Sequence, residues 1–288
     1  MSTFWSRFRK IILVARPISW PNTAYPFAAT YIVLGGPIDW LFLVGTLYFL
    51  FPYNLLMYGV NDVFDYESDI KNPRKGGIEG MREQRALHPT ILKAALWTNL
   101  PILAWLFLQG SLAASLSLGL VIFMVVAYSV KGLRFKERPF LDSITSSSHF
   151  VGPMLYAAVL LGGVQTALPY LIAFFCWGMA SHAFGAVQDI IPDRQARIAS
   201  IATVIGARRT VWFAWVLYVV AVILVATQGW TGVLAGLIGL LYIFNIVPYM
   251  HLTDKQSAQA NAGWRRFIKL NYVAGFLITM LLIVSQLR

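Results

Sequence analysis

Apolar residues gather along this 288-residue chain in runs close to the roughly 20 residues that a helix needs to cross the hydrocarbon core of a bilayer. Nine runs stand out, near 18–36, 38–60, 90–109, 112–130, 141–162, 168–188, 210–227, 230–250 and 267–286. Gly36-Pro37, Gln109-Gly110, Gly162-Gly163 and Gln228-Gly229 punctuate alternate connections, which predicts very short hairpins on one side and the long loops on the other. The pattern predicts an all-α polytopic membrane protein with nine transmembrane helices. No connection is long enough to fold alone, so residues 1–288 are expected to form one domain.

Charge sharpens this picture. Only 12% of residues are charged and 58% are hydrophobic, far from the roughly 25% charged usage of soluble domains. The net charge of +11 invites a nucleic-acid partner, but the basic residues are dispersed over short loops rather than along one soluble face. On the nine-span arrangement 22 of the 23 Lys and Arg residues fall on one side, with Arg288 alone opposite. The positive-inside bias then puts the N-terminus and the long loops in the cytoplasm and the C-terminus across the membrane. Membrane lipid is the expected surrounding, and no nucleic acid. Residues Met1 to Lys10 are basic and lack a small-residue cleavage site, so no cleaved signal is expected. The single cysteine, Cys176, lies in an apolar run and reads as a small core hydrophobe.

The acidic residues are few and unevenly placed. Of twelve, six lie between Asp62 and Glu83, and four of those within Asp62 to Asp69. The segment Asn61-Asp62-Val63-Phe64-Asp65-Tyr66-Glu67-Ser68-Asp69 continues the second span, and spacings of three and four bring Asp62, Asp65 and Asp69 onto one helix face. Like charges so placed repel by a few tenths of a kcal/mol per pair, unless a divalent cation sits among them. Carboxylate oxygens are hard ligands that select magnesium, manganese or calcium over zinc, and magnesium commonly combines one or two carboxylates with substrate phosphates. A second group, Asp189 and Asp193 in Gln188-Asp189-Ile190-Ile191-Pro192-Asp193-Arg194, ends the sixth span. The two groups lie four helices apart, which suggests two four-helix pseudo-repeats plus one helix.

Cations accompany the carboxylates: Arg74 in the first long loop, and Lys131 and Arg134 after the fourth span, are the candidate ligands for a metal-bridged diphosphate. Gly76 and Gly77 permit close backbone approach, but the stretch lacks the spacing of a nucleotide-binding phosphate loop. Most aromatic residues, among them Trp20, Tyr25, Trp177 and Phe184, suit lipid contact or packing. Tyr53, Tyr58 and Tyr156 are candidates to line a cavity, where π faces attract a carbocation. His149 and His182 fall within spans and read as hydrogen-bonded core residues.

Asn61, Asp62, Asp65 and Asp69 after the second span, followed by Asp189 and Asp193 after the sixth, resemble the two signatures of the UbiA superfamily of intramembrane prenyltransferases, N-D-x-x-D-x-x-x-D and D-x-x-x-D. Tyr128, Lys131 and Arg134 resemble the Tyr and basic residues that family members carry at the end of the fourth helix. The resemblance implies transfer of a prenyl group from an allylic prenyl diphosphate to a lipophilic acceptor within the bilayer. It also implies Mg2+ held by Asp62, Asp65, Asp69, Asp189 and Asp193, with Asn61 assisting at the diphosphate and Tyr128 at the cavity. The run from Asn61 to Gly80 is most similar to the lycopene elongases, which add five-carbon units from dimethylallyl diphosphate to the ends of a C40 carotenoid. Quinone, haem and archaeal-lipid acceptors belong to other branches and stay open at this point. A transporter would place its acidic groups near the bilayer midplane, whereas these sit at helix ends; a phosphatidyltransferase would need a D-G-x-x-A-R opening that the chain lacks.

Overall fold

The structure is a computed structural model that describes residues 2–70 and 85–286, without the side chains of residues 2–4, 68 and 69. Every regular element among these residues is helical. The chain divides into two compact units, Met1–Phe135 with His149–Val164, and Lys136–Ser148 with Gln165–Arg288.

The first unit opens with α1 (Ser2–Val14), which the pattern of spans did not announce, followed by α2 (Pro21–Val33), α3 (Trp40–Leu50), α4 (Pro52–Asp69), α5 (His88–Gln109) and α6 (Leu112–Ser129). Ile11, Val14 and Ala15 at the end of α1 pack on Leu55, Leu87 and Ile91, fixing the short helix against α4 and α5. Pro52 has no N–H and interrupts the helical ladder between α3 and α4. The fully buried Asn54 answers the break by donating to the Phe49 and Leu50 carbonyls at 2.9 and 3.0 Å and to the Thr23 hydroxyl at 2.7 Å. The core around it is aromatic: Phe27, Tyr31, Tyr48, Phe49, Tyr53 and Tyr156 are all buried in one cluster.

Helix α7 (Leu141–Leu160) passes from the second unit into the first. The second unit continues with α8 (Val164–Val187), two short helices α9 (Ile190–Gln195) and α10 (Ile201–Ile205), and then α11 (Ala207–Ala226), α12 (Gly229–Ile246) and α13 (Ala260–Gln286). Its core joins Phe184, Val187 and Ile190 to Val211, Tyr218, Tyr242, Ile246 and Phe267. Two of the expected hairpins close where glycine allows the left-handed backbone that other residues resist: Gly162 (φ 67°) leads from α7 to α8 and Gly229 (φ 88°) opens α12.

Among the described residues seven helices are long and apolar enough to cross a membrane. The two remaining runs fall short for separate reasons. Helix α2 has 13 residues, about 20 Å at the α-helical rise. Helix α7 has 20 residues but carries Asp142, Ser143, Thr145, Ser146, Ser147, Ser148 and His149 in its first half.

Candidate active site

The first aspartate motif lies on the last turns of α4, a helix without interruption from Pro52 through Asp69. Its continuity realises the expected spacing, and Asp62 and Asp65 are both buried at 5% exposure. Charged groups removed from water need partners, and each has an arginine. Arg16 donates from Nη2 to Asp62 Oδ1 at 2.7 Å, across 46 residues of sequence. Arg134 Nη2 stands 3.8 Å from Asp65 Oδ1. The Asn61 amide donates to Asp65 Oδ2 and to the Ser129 hydroxyl, both at 2.9 Å, so the asparagine links α4 to the end of α6.

Arg16 was not among the residues that the sequence singled out. It sits between α1 and a 3-10 turn at Pro17–Ser19, and its backbone is left-handed (φ 52°, ψ 75°). For a residue that is neither glycine nor asparagine such a conformation costs on the order of 1–3 kcal/mol, and it is held by the Ser19 N–H on the Arg16 carbonyl and the Trp20 indole on the Ala15 carbonyl. The guanidinium lies over the ring of Tyr58, 4.2 Å from its centre. Tyr58 and Asp62 are one turn apart on α4, so Arg16 bridges that turn. Only the immediately following Pro17 and the proximity of Trp20 hinted at a fixed backbone here.

Among the other expected residues, Lys131 is exposed on the turn after α6 and Tyr128 is half-buried, its ring edge-on to His149 at 5.0 Å. Tyr53 and Tyr156, expected to line a cavity, are instead fully buried in the aromatic cluster. Their hydroxyls donate to the His149 and Leu106 carbonyls at 2.9 and 3.4 Å, and at 0% exposure neither ring faces open space. Arg74 and the side chain of Asp69 lie outside the described residues.

The second motif is built differently. Helix α8 ends at Val187 and α9 begins at Ile190, with Asp189 at the join. The Asp193 N–H donates to the Asp189 carbonyl at 2.9 Å, keeping the two aspartates one turn apart. Both side chains are half-buried. Gln188 receives the Asn261 amide of α13 at 2.6 Å and donates to the Gly185 carbonyl. Arg194, next to Asp193, is turned to scaffold: Nε and Nη2 donate to the Thr203 carbonyl at 3.0 and 2.7 Å, and Nη1 donates to Asp254 Oδ2 at 2.7 Å. Asp254 Oδ1 in turn accepts the Ala207 N–H at 2.7 Å and caps α11 from a distance.

Sequence reasoning also passed over Asp142, which is fully buried. Its carboxylate accepts the Ile201 N–H at the start of α10 and the Ser143 N–H, each at 2.8 Å. The Ser143 hydroxyl meets His182 Nδ1 at 3.1 Å, so His182 is a hydrogen-bonded core histidine as its lone position in a span suggested.

Among the described residues no three His, Cys, Asp or Glu side chains form a metal-binding group. Two hard carboxylates on one helix face nevertheless meet what magnesium asks of a protein when substrate phosphates complete its shell. The donor set of Asp62 and Asp65, with the Asn61 amide beside them, therefore fits such an ion.

Comparison with known proteins shows the family. The model of the UbiA prenyltransferase family matches residues 24–273. The chain belongs to the UbiA prenyltransferase family. This prenyltransferase is 48% identical over 279 residues to a lycopene elongase/hydratase of Corynebacterium glutamicum, covering 96% of this chain and 97% of that one. It is 30% identical over 293 residues to a lycopene elongase/hydratase of Halobacterium salinarum, covering 95% and 96%. Its fold is shared with a UbiA homologue from Archaeoglobus fulgidus solved with DMAPP and Mg2+, with a TM-score of 0.67 at 18% identity over 94% of this chain and 99% of that one.

Proposed function

We propose that this prenyltransferase adds five-carbon units from dimethylallyl diphosphate to the ends of lycopene, in the biosynthesis of C50 carotenoids. The observation that carries the proposal is the 48% identity, over nearly the whole of both chains, to a lycopene elongase/hydratase. Helices α2 and α7 would complete a set of nine spans in one catalytic domain over residues 1–288. The basic loops would face the cytoplasm and the C-terminus the opposite side.

Asp62, Asp65 and Asp69 in one motif and Asp189 and Asp193 in the other would hold Mg2+. When bound, the metal supplies positive charge to the departing diphosphate. Asn61, fixed by Ser129 and Asp65, would present its amide at the same end of α4. Arg74, Lys131 and Arg134 would take up the diphosphate charge that develops as the allylic C–O bond breaks and its electron pair leaves with oxygen. The terminal alkene of lycopene then donates its pair to form the new C–C bond, and the resulting cation either loses a proton or takes up water and then loses one. Tyr58 and Tyr128 are half-buried and would line the cavity, Tyr58 with one ring face already taken by the Arg16 guanidinium; Tyr53 and Tyr156 lie in the buried aromatic cluster. Apolar helices around the chemistry keep water from quenching the allylic cation.

The test is to incubate membranes containing the protein with magnesium and labelled dimethylallyl diphosphate, offering lycopene, 4-hydroxybenzoate or a naphthoate in separate tubes. A five-carbon mass gain on lycopene, lost with EDTA, is expected. Transfer to an aromatic acceptor alone would retain the family and overturn the carotenoid assignment.

A further inference from the structure

The first motif brings two guanidiniums to two carboxylates: Arg16 to Asp62 at 2.7 Å and Arg134 to Asp65 at 3.8 Å. A divalent ion arriving alone at those carboxylates meets the positive charge of both arginines, and Arg16 is the more firmly placed. Its side chain is 15% exposed with the guanidinium seated on Tyr58, while that of Arg134 is 28% exposed and stands 3.8 Å from Asp65. A diphosphate changes the balance, because its oxygens offer a guanidinium the bidentate partner it favours and its charge offsets that of the metal. Resting on the metal reading above, we propose that Arg16 competes with divalent metal for Asp62 and thereby makes metal binding conditional on diphosphate.

By linkage, any factor by which diphosphate tightens the metal is the factor by which metal tightens diphosphate. Bound alone, either would leave the other's counter-charges unsatisfied. The enzyme would thus load the two together and would not hold the motif filled by metal while no allylic substrate is present. Arg16 has no need to contact the reacting atoms for this role.

The experiment measures binding of Mn2+ to the purified full-length protein by the electron paramagnetic resonance of the free ion, with no acceptor present. Wild type, Arg16→Gln and Arg16→Lys are compared, each with and without dimethylallyl diphosphate, corrected for metal complexed in solution. Arg16→Gln is expected to tighten binding of Mn2+ alone at least tenfold and to shrink the gain from diphosphate by the same factor. Arg16→Lys, which keeps the charge, is expected to stay within about threefold of wild type. Unchanged or weaker binding of Mn2+ alone by Arg16→Gln would overturn the proposal. Should that variant not fold, Arg134→Gln asks the same question at Asp65, with a smaller tightening expected and no tightening counting against the proposal. Wild-type protein that binds no Mn2+ even with diphosphate would remove the metal reading itself. Failure of prenyl transfer to lycopene would instead overturn the acceptor and leave these titrations standing.

Discussion

The two aspartate motifs look alike in sequence and are held in opposite ways. In the first, one uninterrupted helix carries Asp62 and Asp65 inward, and arginines from other elements turn toward the carboxylates. In the second, the helix stops before Asp189, the aspartates are half-buried, and the neighbouring Arg194 turns away from them to Thr203 and Asp254. Buried carboxylates call for dedicated counter-charges, and in the first motif Arg16 and Arg134 supply them. An arginine adjacent to a motif is therefore no guide to phosphate binding; where its fork is already occupied decides its role.

The largest effects should come from the aspartates, on which both motifs depend alike. Asp65→Asn and Asp189→Asn are each expected to lower turnover about 100-fold or more while the protein remains inserted and folded, as judged by its yield in membranes and its thermal transition. Normal turnover in either variant would remove that motif from the metal site. The next effect distinguishes the motifs. Arg194→Ala breaks three hydrogen bonds to two acceptors and should lower stability by about 1–3 kcal/mol, read as a fall in Tm, with the diphosphate KM of the folded fraction little changed. The reverse outcome, an unaltered Tm with a raised KM, would make Arg194 a substrate ligand and erase the contrast.

Smaller changes sharpen the comparison. Ser129→Ala frees the Asn61 amide from its anchor at the end of α6 and is expected to reduce kcat a few-fold, for about 1 kcal/mol of lost orientation, with little change in Tm. Ser200 caps α10 by accepting the Thr203 N–H, in the segment that also receives Arg194 and Asp142. Ser200→Ala should cost about 1 kcal/mol of stability and leave metal dependence unchanged. A change in the magnesium requirement of Ser200→Ala would mean that the scaffold around the second motif acts on the metal as well.

What was legible in the sequence is what depends on local period and composition. Runs of apolar residues fix where helices form in a bilayer, because each backbone polar group must be satisfied within its own segment, and eight of the nine runs coincide closely with the α3–α4 pair, α5, α6, α7, α8, α11, α12 and α13. The i, i+3 and i+4 spacing placed Asp62 and Asp65 on one face, since helical geometry leaves no alternative. Helix α1 escaped because it is too short and too charged to read as a span, whereas α7 was expected over 141–162 and only the polar character of its first half was outweighed by the apolar second.

Tertiary structure alone chose the partners. Asp62 could have paired with any of several cations in the basic loops, and the selection of Arg16 follows from α1 packing on α4 and α5 and from a backbone locked before Pro17. Tyr53 and Tyr156 share the chemistry of Tyr58 and Tyr128, yet packing buries the first pair and leaves the second half-open. Residue type and spacing state which chemistry a side chain can perform; burial and the identity of a neighbour distant in sequence arise only when helices pack, and those decide whether the chemistry is performed, restrained or set aside for structure.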